Sequence, residues 1–231
     1  MQREFLKKWL SYYRPQSHFF DSVINEQLEV VWVKGKKILN TKGTNYSYGG
    51  LQEVLNYGLD AIPISSIKSI LVLGMGGGCV VDSLRNKYNY QKEIIGVEID
   101  PVVVKIAKNE FHLLEDKKVQ LIEADAETYI AKNKQQYDLI IVDLFIDIEV
   151  PQQFYGQEFW KNIANSVEKN GFVLFNAGID LTEEKIEDFL THVPDSFVSQ
   201  ITLEVLVSNT VIIFNKVYAY IILFYTLNRE G

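Results

Sequence analysis

The stretch Ser69-Ile70-Leu71-Val72-Leu73-Gly74-Met75-Gly76-Gly77-Gly78 decides how this chain folds. Its first half is a short, unbroken apolar run, the pattern of a strand buried on both faces. A glycine-rich turn follows without a spacer, and Cys79-Val80-Val81-Asp82-Ser83-Leu84 then opens a helix. With no Cβ in the way, glycine lets the backbone turn this sharply and come close to a ligand. Twenty residues beyond Gly78 a second apolar run, Ile94-Ile95-Gly96-Val97, ends in Glu98. An acidic residue at that distance falls where an open α/β sheet holds the hydroxyls of a ribose. Turn and acidic strand end together point to a ligand that contains a nucleoside.

Working outward from this stretch, strands are expected near 69–73, 93–98, 119–123, 137–143 and 171–176. Helical segments separate them, and such alternation implies right-handed crossovers and a parallel sheet. Asp100 is expected to cap a helix that begins with Pro101, with Val104, Ala107 and Phe111 along one face. A stripe of Phe159, Ile163 and Val167 marks a later helix, expected to end at Lys169-Asn170-Gly171 with Gly171 as its left-handed terminal residue. Beyond Asn176 come a helix near Thr182 to Leu190 and two strands near 199–207 and 210–214. Only Ser208-Asn209 joins those strands, so they form an antiparallel hairpin and one of them opposes the parallel set.

The N-terminal part has a different character. Phe5, Leu6, Trp9, Leu10 and Tyr13 recur at helical spacing ahead of Pro15. Leu28 to Val33 and Lys37 to Leu39 flank Lys34-Gly35-Lys36 as a β-hairpin. A polar, aromatic loop, Thr44 to Gly50, leads into a helix near Leu51 to Leu59. The expected division is an extension over residues 1–58 and an α/β nucleoside-binding domain over 59–231, with no internal repeat.

Composition narrows the partners. A net charge of −7 disfavours nucleic acid, which is met with clustered Lys and Arg. The single cysteine, Cys79, excludes a disulfide framework and fits a reducing, cytoplasmic setting, where it packs as a small residue. Met1-Gln2-Arg3-Glu4 leads into a charged amphipathic stretch unlike a signal peptide, and the apolar tail Val217 to Leu227 is too short to span a bilayer. No membrane association is therefore expected. The aromatic N-terminal segment, the hairpin and the tail around Tyr218 to Tyr225 together exceed what a monomer exposes, which predicts a homodimer.

Ligands of open α/β sheets bind beyond the carboxyl ends of the strands. There the sequence places Gly74, Gly76, Gly77 and Gly78, then Glu98 and Asp100, then Asp125 within Glu123-Ala124-Asp125-Ala126, then Asp143, and finally Asn176-Ala177-Gly178. The dinucleotide fingerprint G-x-G-x-x-G/A would need Gly or Ala where Cys79 stands, and no lysine follows the turn to neutralise phosphates. Several carboxylates without a basic residue suit an uncharged adenosine joined to a sulfonium, which points to S-adenosylmethionine or its decarboxylated form. No metal is called for.

The series Ile70 to Gly78, Gly96-Val97-Glu98-Ile99-Asp100, Glu123-Ala124-Asp125 and Tyr137 to Asp143 resembles the spermidine synthase-like branch of the class I S-adenosylmethionine-dependent transferases. The similarity runs over roughly residues 28 to 214. It implies a Rossmann-like class I methyltransferase fold: a mostly parallel seven-stranded sheet with a C-terminal antiparallel strand, and a small β-rich N-terminal extension over the active site. It further implies that Gly74, Gly76 and Gly78 pass the cofactor's amino-acid end, that Glu98 binds ribose, and that Asp125 contacts adenine. Met75, Ile99 and Ala126, their neighbours in the chain, are counted with the cofactor-binding set. Asp143 would lie beside the transferred group as the catalytic residue. Tyr48 corresponds to the tyrosine of the family's Tyr-Gln-Glu motif, and Asp147 to the second carboxylate of Asp-Ser-Ser-Asp-Pro, shifted by one; both would meet the substrate.

Aminopropyltransferases of that branch carry Gly-Gly-Gly-Asp-Gly-Gly in the first turn, where the Asp holds the donor's amine. This chain has Gly77 at that place, Tyr48-Gly49-Gly50 for Tyr-Gln-Glu, and Asp143-Leu144-Phe145-Ile146-Asp147 for the segment that holds the acceptor. These departures make methyl transfer to a small-molecule acceptor, an amine among the candidates, the first expectation. Aminopropyl transfer in polyamine synthesis is the alternative, and a non-catalytic nucleoside-binding module is the third reading.

Overall fold

The computed structural model describes residues 2–41, 45–47, 49–146, 149–179, 181–206 and 209–217. Tyr48, Asp147, Ser208 and the tail from Tyr218 onward lie outside these residues. The run that opens the nucleoside domain is strand β5 (Ile70–Leu73), followed by α3 (Cys79–Asn86), β6 (Ile94–Glu98), α4 (Pro101–Asn109), β7 (Val119–Glu123), α5 (Ala126–Lys132), β8 (Tyr137–Val142), α6 (Gln157–Ser166), β9 (Val167–Ile179), α7 (Glu183–Leu190), β10 (Phe197–Val205) and β11 (Asn209–Lys216). Ahead of it stand α1 (Gln2–Leu10), β1 (Gln16–Asp21), β2 (Gln27–Val33), β3 (Lys36–Thr41), β4 (Asn45–Ser47) and α2 (Gly50–Asp60).

The main sheet has seven strands in the order β10-β11-β9-β8-β5-β6-β7. Strands β5 to β9 pair in parallel, and β11 runs antiparallel to both β9 and β10. The expected α/β sheet with a C-terminal antiparallel strand is thus the fold observed. Alternate residues of β5 serve opposite faces. Ile70 and Val72 pack with α2 and α3 residues such as Leu55, Leu59, Val80 and Leu84, and Leu71 and Leu73 pack with Ile130 of α5 and Trp160 and Ile163 of α6. Both faces being covered, the strand is apolar throughout. Trp160 is fully buried, stacked edge-on against Phe175 and Phe189 at centroid distances of 5.4 and 5.2 Å, and its indole N–H donates to the Phe154 carbonyl at 2.9 Å.

Two local expectations are corrected. The helix before β9 ends at Ser166, not at Gly171, and the left-handed residue is Asn170, with φ 64°. Asn170 lies in an irregular stretch of β9, where the register against β8 slips between Tyr137 and Leu139. Strand β9 also continues to Ile179, so Asn176 belongs to a strand rather than to a loop. The N-terminal hairpin is in turn the centre of a four-stranded antiparallel sheet, β1-β2-β3-β4. Strand β1 escaped the sequence pattern because four of the six residues in Gln16–Asp21 are exposed and no alternation shows, although Phe20 packs on the core beneath. The sequence-drawn division between residues 58 and 59 falls inside α2, whose Val54, Leu55 and Leu59 join the core of the main sheet.

Candidate active site

The glycine turn owes its shape to residues without Cβ. Gly74, Gly76 and Gly78 take φ values of 85°, 55° and 89°, a region that side chains disfavour. A Cβ on Gly74 would also run into the carbonyl oxygen of Asp143, so glycine is what lets the ends of β5 and β8 come together. The amides of Gly74 and Met75 both donate to the Val97 carbonyl at 3.0 Å, which ties the turn to the end of β6. Met75 buries its side chain over Gly96 in the core, leaving its backbone to the turn. Gly78 is the left-handed N-cap of α3, and Cys79 follows it, buried.

Glu98 ends β6 almost wholly buried. Its Oε2 accepts from the Gly76 amide at 2.9 Å and its Oε1 from the Asp100 amide at 3.1 Å. Burial lifts its pKa to about 7 against the pull of these N–H donors. Ile99, next to it, is exposed. Asp125 caps α5 by accepting from the Thr128 amide at 2.8 Å, and Ala126 begins that helix, buried. Asp100 caps α4 as expected, with Pro101 at its first position.

Asp143 follows β8 and is held by its backbone amide to the Leu73 carbonyl at 2.9 Å. Its Oδ1 accepts from Asn176 Nδ2 at 2.9 Å, and Asn176 Oδ1 accepts from Asn209 Nδ2 at 3.3 Å. The fully buried Asn176 therefore orients the carboxylate from the neighbouring strand. The sequence places Asn176 beside the crevice but does not show this contact, because only strand pairing brings it to Asp143. Burial raises the Asp143 pKa to about 7, and the Asn176 amide opposes the rise.

Gly74, Glu98, Ile99, Asp125, Ala126 and Asp143 line one cleft, walled by Leu144, Phe145, Ile146, Pro151 and Phe154. Met75, Gly76 and Gly78, expected in the cofactor-binding set, are not among its lining residues. The lining contains three carboxylates and, among the described residues, no Lys, Arg or His. Apolar walls suit a flat heterocycle, and unopposed carboxylates suit a neighbouring positive charge, so the donor set fits an adenosyl sulfonium. Among the described residues no three His, Cys, Asp or Glu side chains converge as metal ligands. No helix among them is long and apolar enough to cross a membrane.

Fold and cleft define a Rossmann-like α/β protein of the methyltransferase type with an acidic strand-end site. The Spermine/spermidine synthase domain matches residues 53–223, and the chain belongs to that family. It is 30% identical over 142 residues to the polyamine aminopropyltransferase of Buchnera aphidicola subsp. Acyrthosiphon pisum (strain Tuc7), covering 58% of this chain and 49% of the relative. With the Sulfolobus acidocaldarius polyamine aminopropyltransferase it shares 31% over 124 residues, 50% of this chain and 40% of the relative. The chain thus spans about half the length, or less, of these relatives. Among solved structures, a probable spermidine synthase from Corynebacterium glutamicum superposes with a TM-score of 0.63 at 15% identity, over 88% of this chain and 77% of that one. Human methyltransferase-like protein 13, in complex with SAH, gives 0.62 at 19% identity, over 74% and 84%. These likenesses show the fold.

Proposed function

We propose that the protein transfers an aminopropyl group from decarboxylated S-adenosylmethionine to a small amine. Membership of the Spermine/spermidine synthase family supports this reading over methyl transfer, the first expectation from the sequence, because the curated relatives are aminopropyltransferases. The observation that carries it is Asp143: a carboxylate lining the cleft, oriented by Asn176, with its pKa brought to about 7.

The cofactor supplies a carbon activated by a sulfonium. Nitrogen attacks that carbon, the C–N bond forms as the C–S bond breaks, and sulfur keeps the electron pair as a neutral thioether. An amine enters as its ammonium, and Asp143 accepts the proton that must leave before nitrogen can attack. A base poised near neutral pH serves this better than an ordinary aspartate. Glu98 and Asp125 hold the nucleoside, and the apolar wall of Leu144, Phe145, Ile146, Pro151 and Phe154 keeps water from the sulfonium. Tyr48 and Asp147 complete the acceptor site in this reading. Self-association as a cytoplasmic homodimer belongs to the same proposal, supported by the exposed Trp9, Tyr12 and Tyr13 on and just after α1; sedimentation at micromolar concentration tests it.

Methyl transfer from S-adenosylmethionine is the second reading, favoured by one feature, Gly77 at the place where the family's turn carries a carboxylate for the donor's amine. Calorimetric titration with each donor separates the two. Tighter binding of the decarboxylated form supports aminopropyl transfer, and tighter binding of S-adenosylmethionine supports the second reading. Binding of either donor with no turnover of any amine would leave a nucleoside-binding module.

A further inference from the structure

The N-terminal sheet docks on α4 and is fastened at both ends of that helix. Between the ends, Leu28, Val30 and Leu39 pack with Val103 and Ile106. At the C-terminal end, Lys37 Nζ donates to the Glu110 carbonyl at 2.6 Å and to its carboxylate at 3.3 Å. At the N-terminal end, the turn between β1 and β2 reaches the carboxylate of Asp100. Asn25 Nδ2 donates to Asp100 Oδ2 at 2.7 Å, and Ser22 Oγ donates to the same oxygen. Ser22 Oγ also accepts from the amides of Ile24 and Asn25, at 3.0 and 3.1 Å, which sets the shape of the turn. Asp100 is fully buried and Asn25 is 7% exposed, so these donors stand in for water around that oxygen. Asp100 Oδ1 is engaged by the Val102 amide at the start of α4.

The two fastenings differ in what lies behind them. The Asp100 amide donates to Glu98 Oε1, and Glu98 Oε2 accepts from the Gly76 amide. One hydrogen-bonded line therefore runs from side chains of the N-terminal sheet, through Asp100 and Glu98, to the backbone of the glycine turn. The Lys37–Glu110 contact sits at the other end of α4, about 13 Å along the helix axis. Asn25 is held in one sense only. Its Oδ1 is buried without a hydrogen-bond partner, and turning the amide over would set that oxygen against the Asp100 carboxylate.

We propose that Ser22 and Asn25 are positioning residues for the nucleoside: through Asp100 they hold Glu98 in the orientation that braces Gly76 and presents its remaining lone pairs to the cleft. The inference rests on the nucleoside reading of that cleft. It gives the N-terminal sheet a part in donor affinity. Loss of the charge-assisted bond from Asn25 leaves a buried carboxylate short of a donor, and the segment from Glu98 to Asp100 moves to recover one.

The test compares Asn25→Ala and Ser22→Ala with Lys37→Met, or the milder Glu110→Gln, in the full chain. Each is titrated with S-adenosylmethionine and with its decarboxylated form, and the Gly76 amide resonance is recorded without ligand. Asn25→Ala is expected to weaken donor binding about fivefold to tenfold. It should raise the donor KM while kcat holds, and move the Gly76 resonance. The Lys37 or Glu110 variant removes an anchor of the same sheet, so it should lower the melting temperature and leave affinity and resonance in place. The proposal is overturned if both kinds of variant shift affinity and resonance alike, or if Asn25→Ala and Ser22→Ala shift neither. If the parent chain binds neither donor, the nucleoside reading itself fails and takes this role with it, which is a different result from a parent that binds and variants that bind equally well.

Discussion

Replacing Asp143 by Asn should make the protein more stable above neutral pH and nearly inactive. Burial moves the Asp143 carboxyl from an ordinary 3.8 to about 7. A folded-state pKa raised above the unfolded one means that the folded protein resists losing this proton. The stability tied to the group is complete below about pH 4 and is lost as the pH rises through about 7. A shift of some three units corresponds to a ceiling of roughly 4 kcal/mol. Asp143 is only partly buried, and solvent relaxes around it, so about 1–3 kcal/mol is the expected gain for the variant near pH 8, fading towards pH 4. The substituted carboxamide keeps an oxygen for the Asn176 amide, so the local hydrogen bond survives. Activity runs the opposite way. In the parent, kcat/KM should rise with pH through about 7, as the base ionises, and the variant should lose roughly 10²–10⁴ in turnover. Thermal melts and rates on the same preparations, across about pH 4 to 8, decide the matter. An Asp143→Asn variant less stable than the parent at every pH, with turnover per folded molecule intact, would make Asp143 a structural residue and refute the reasoning.

Glu98→Ala should weaken donor binding by about 1.5–3 kcal/mol, measured by calorimetry. It should also lower the melting temperature, because the amides of Gly76 and Asp100 lose their acceptor. Gly74→Ala adds a methyl group against the Asp143 carbonyl oxygen at a φ of 85°, and backbone cannot yield as a side-chain tip can. A loss of about 3 kcal/mol or more in denaturant unfolding is expected, with donor binding impaired even well below the midpoint; a variant as stable as the parent would contradict the close approach of β5 and β8.

Much of the architecture was legible because it is written in local patterns. The unbroken run Ile70–Leu73, the glycine turn and the Asp100-Pro101 helix start each carry their own signal within a few residues, and each stands where the sequence put it. The strand pair β10 and β11 was legible because so short a link allows only an antiparallel return. Strand β1 was not, since its pairing with β2 comes from backbone hydrogen bonds while most of its side chains face solvent. Asn170 in place of Gly171 escaped because a left-handed residue inside a strand resembles a helix terminus when only the chain order is known. In the site, the carboxylates could be found at strand ends, but not what holds them. Asn176 reaches Asp143 across 33 residues, and Asn25 reaches Asp100 across 75. Reading Asp100 as a helix cap accounted for one of its oxygens and missed the other.

The central claim is the transfer of an aminopropyl group to an amine. Its most direct test is to incubate the full chain with decarboxylated S-adenosylmethionine, and separately with S-adenosylmethionine, in the presence of simple monoamines and diamines, reading the products by mass spectrometry. The account predicts an amine extended by an aminopropyl unit, formed only from the decarboxylated donor and lost in the Asp143→Asn variant. A methylated amine formed from S-adenosylmethionine, or no transfer from either donor, would contradict it.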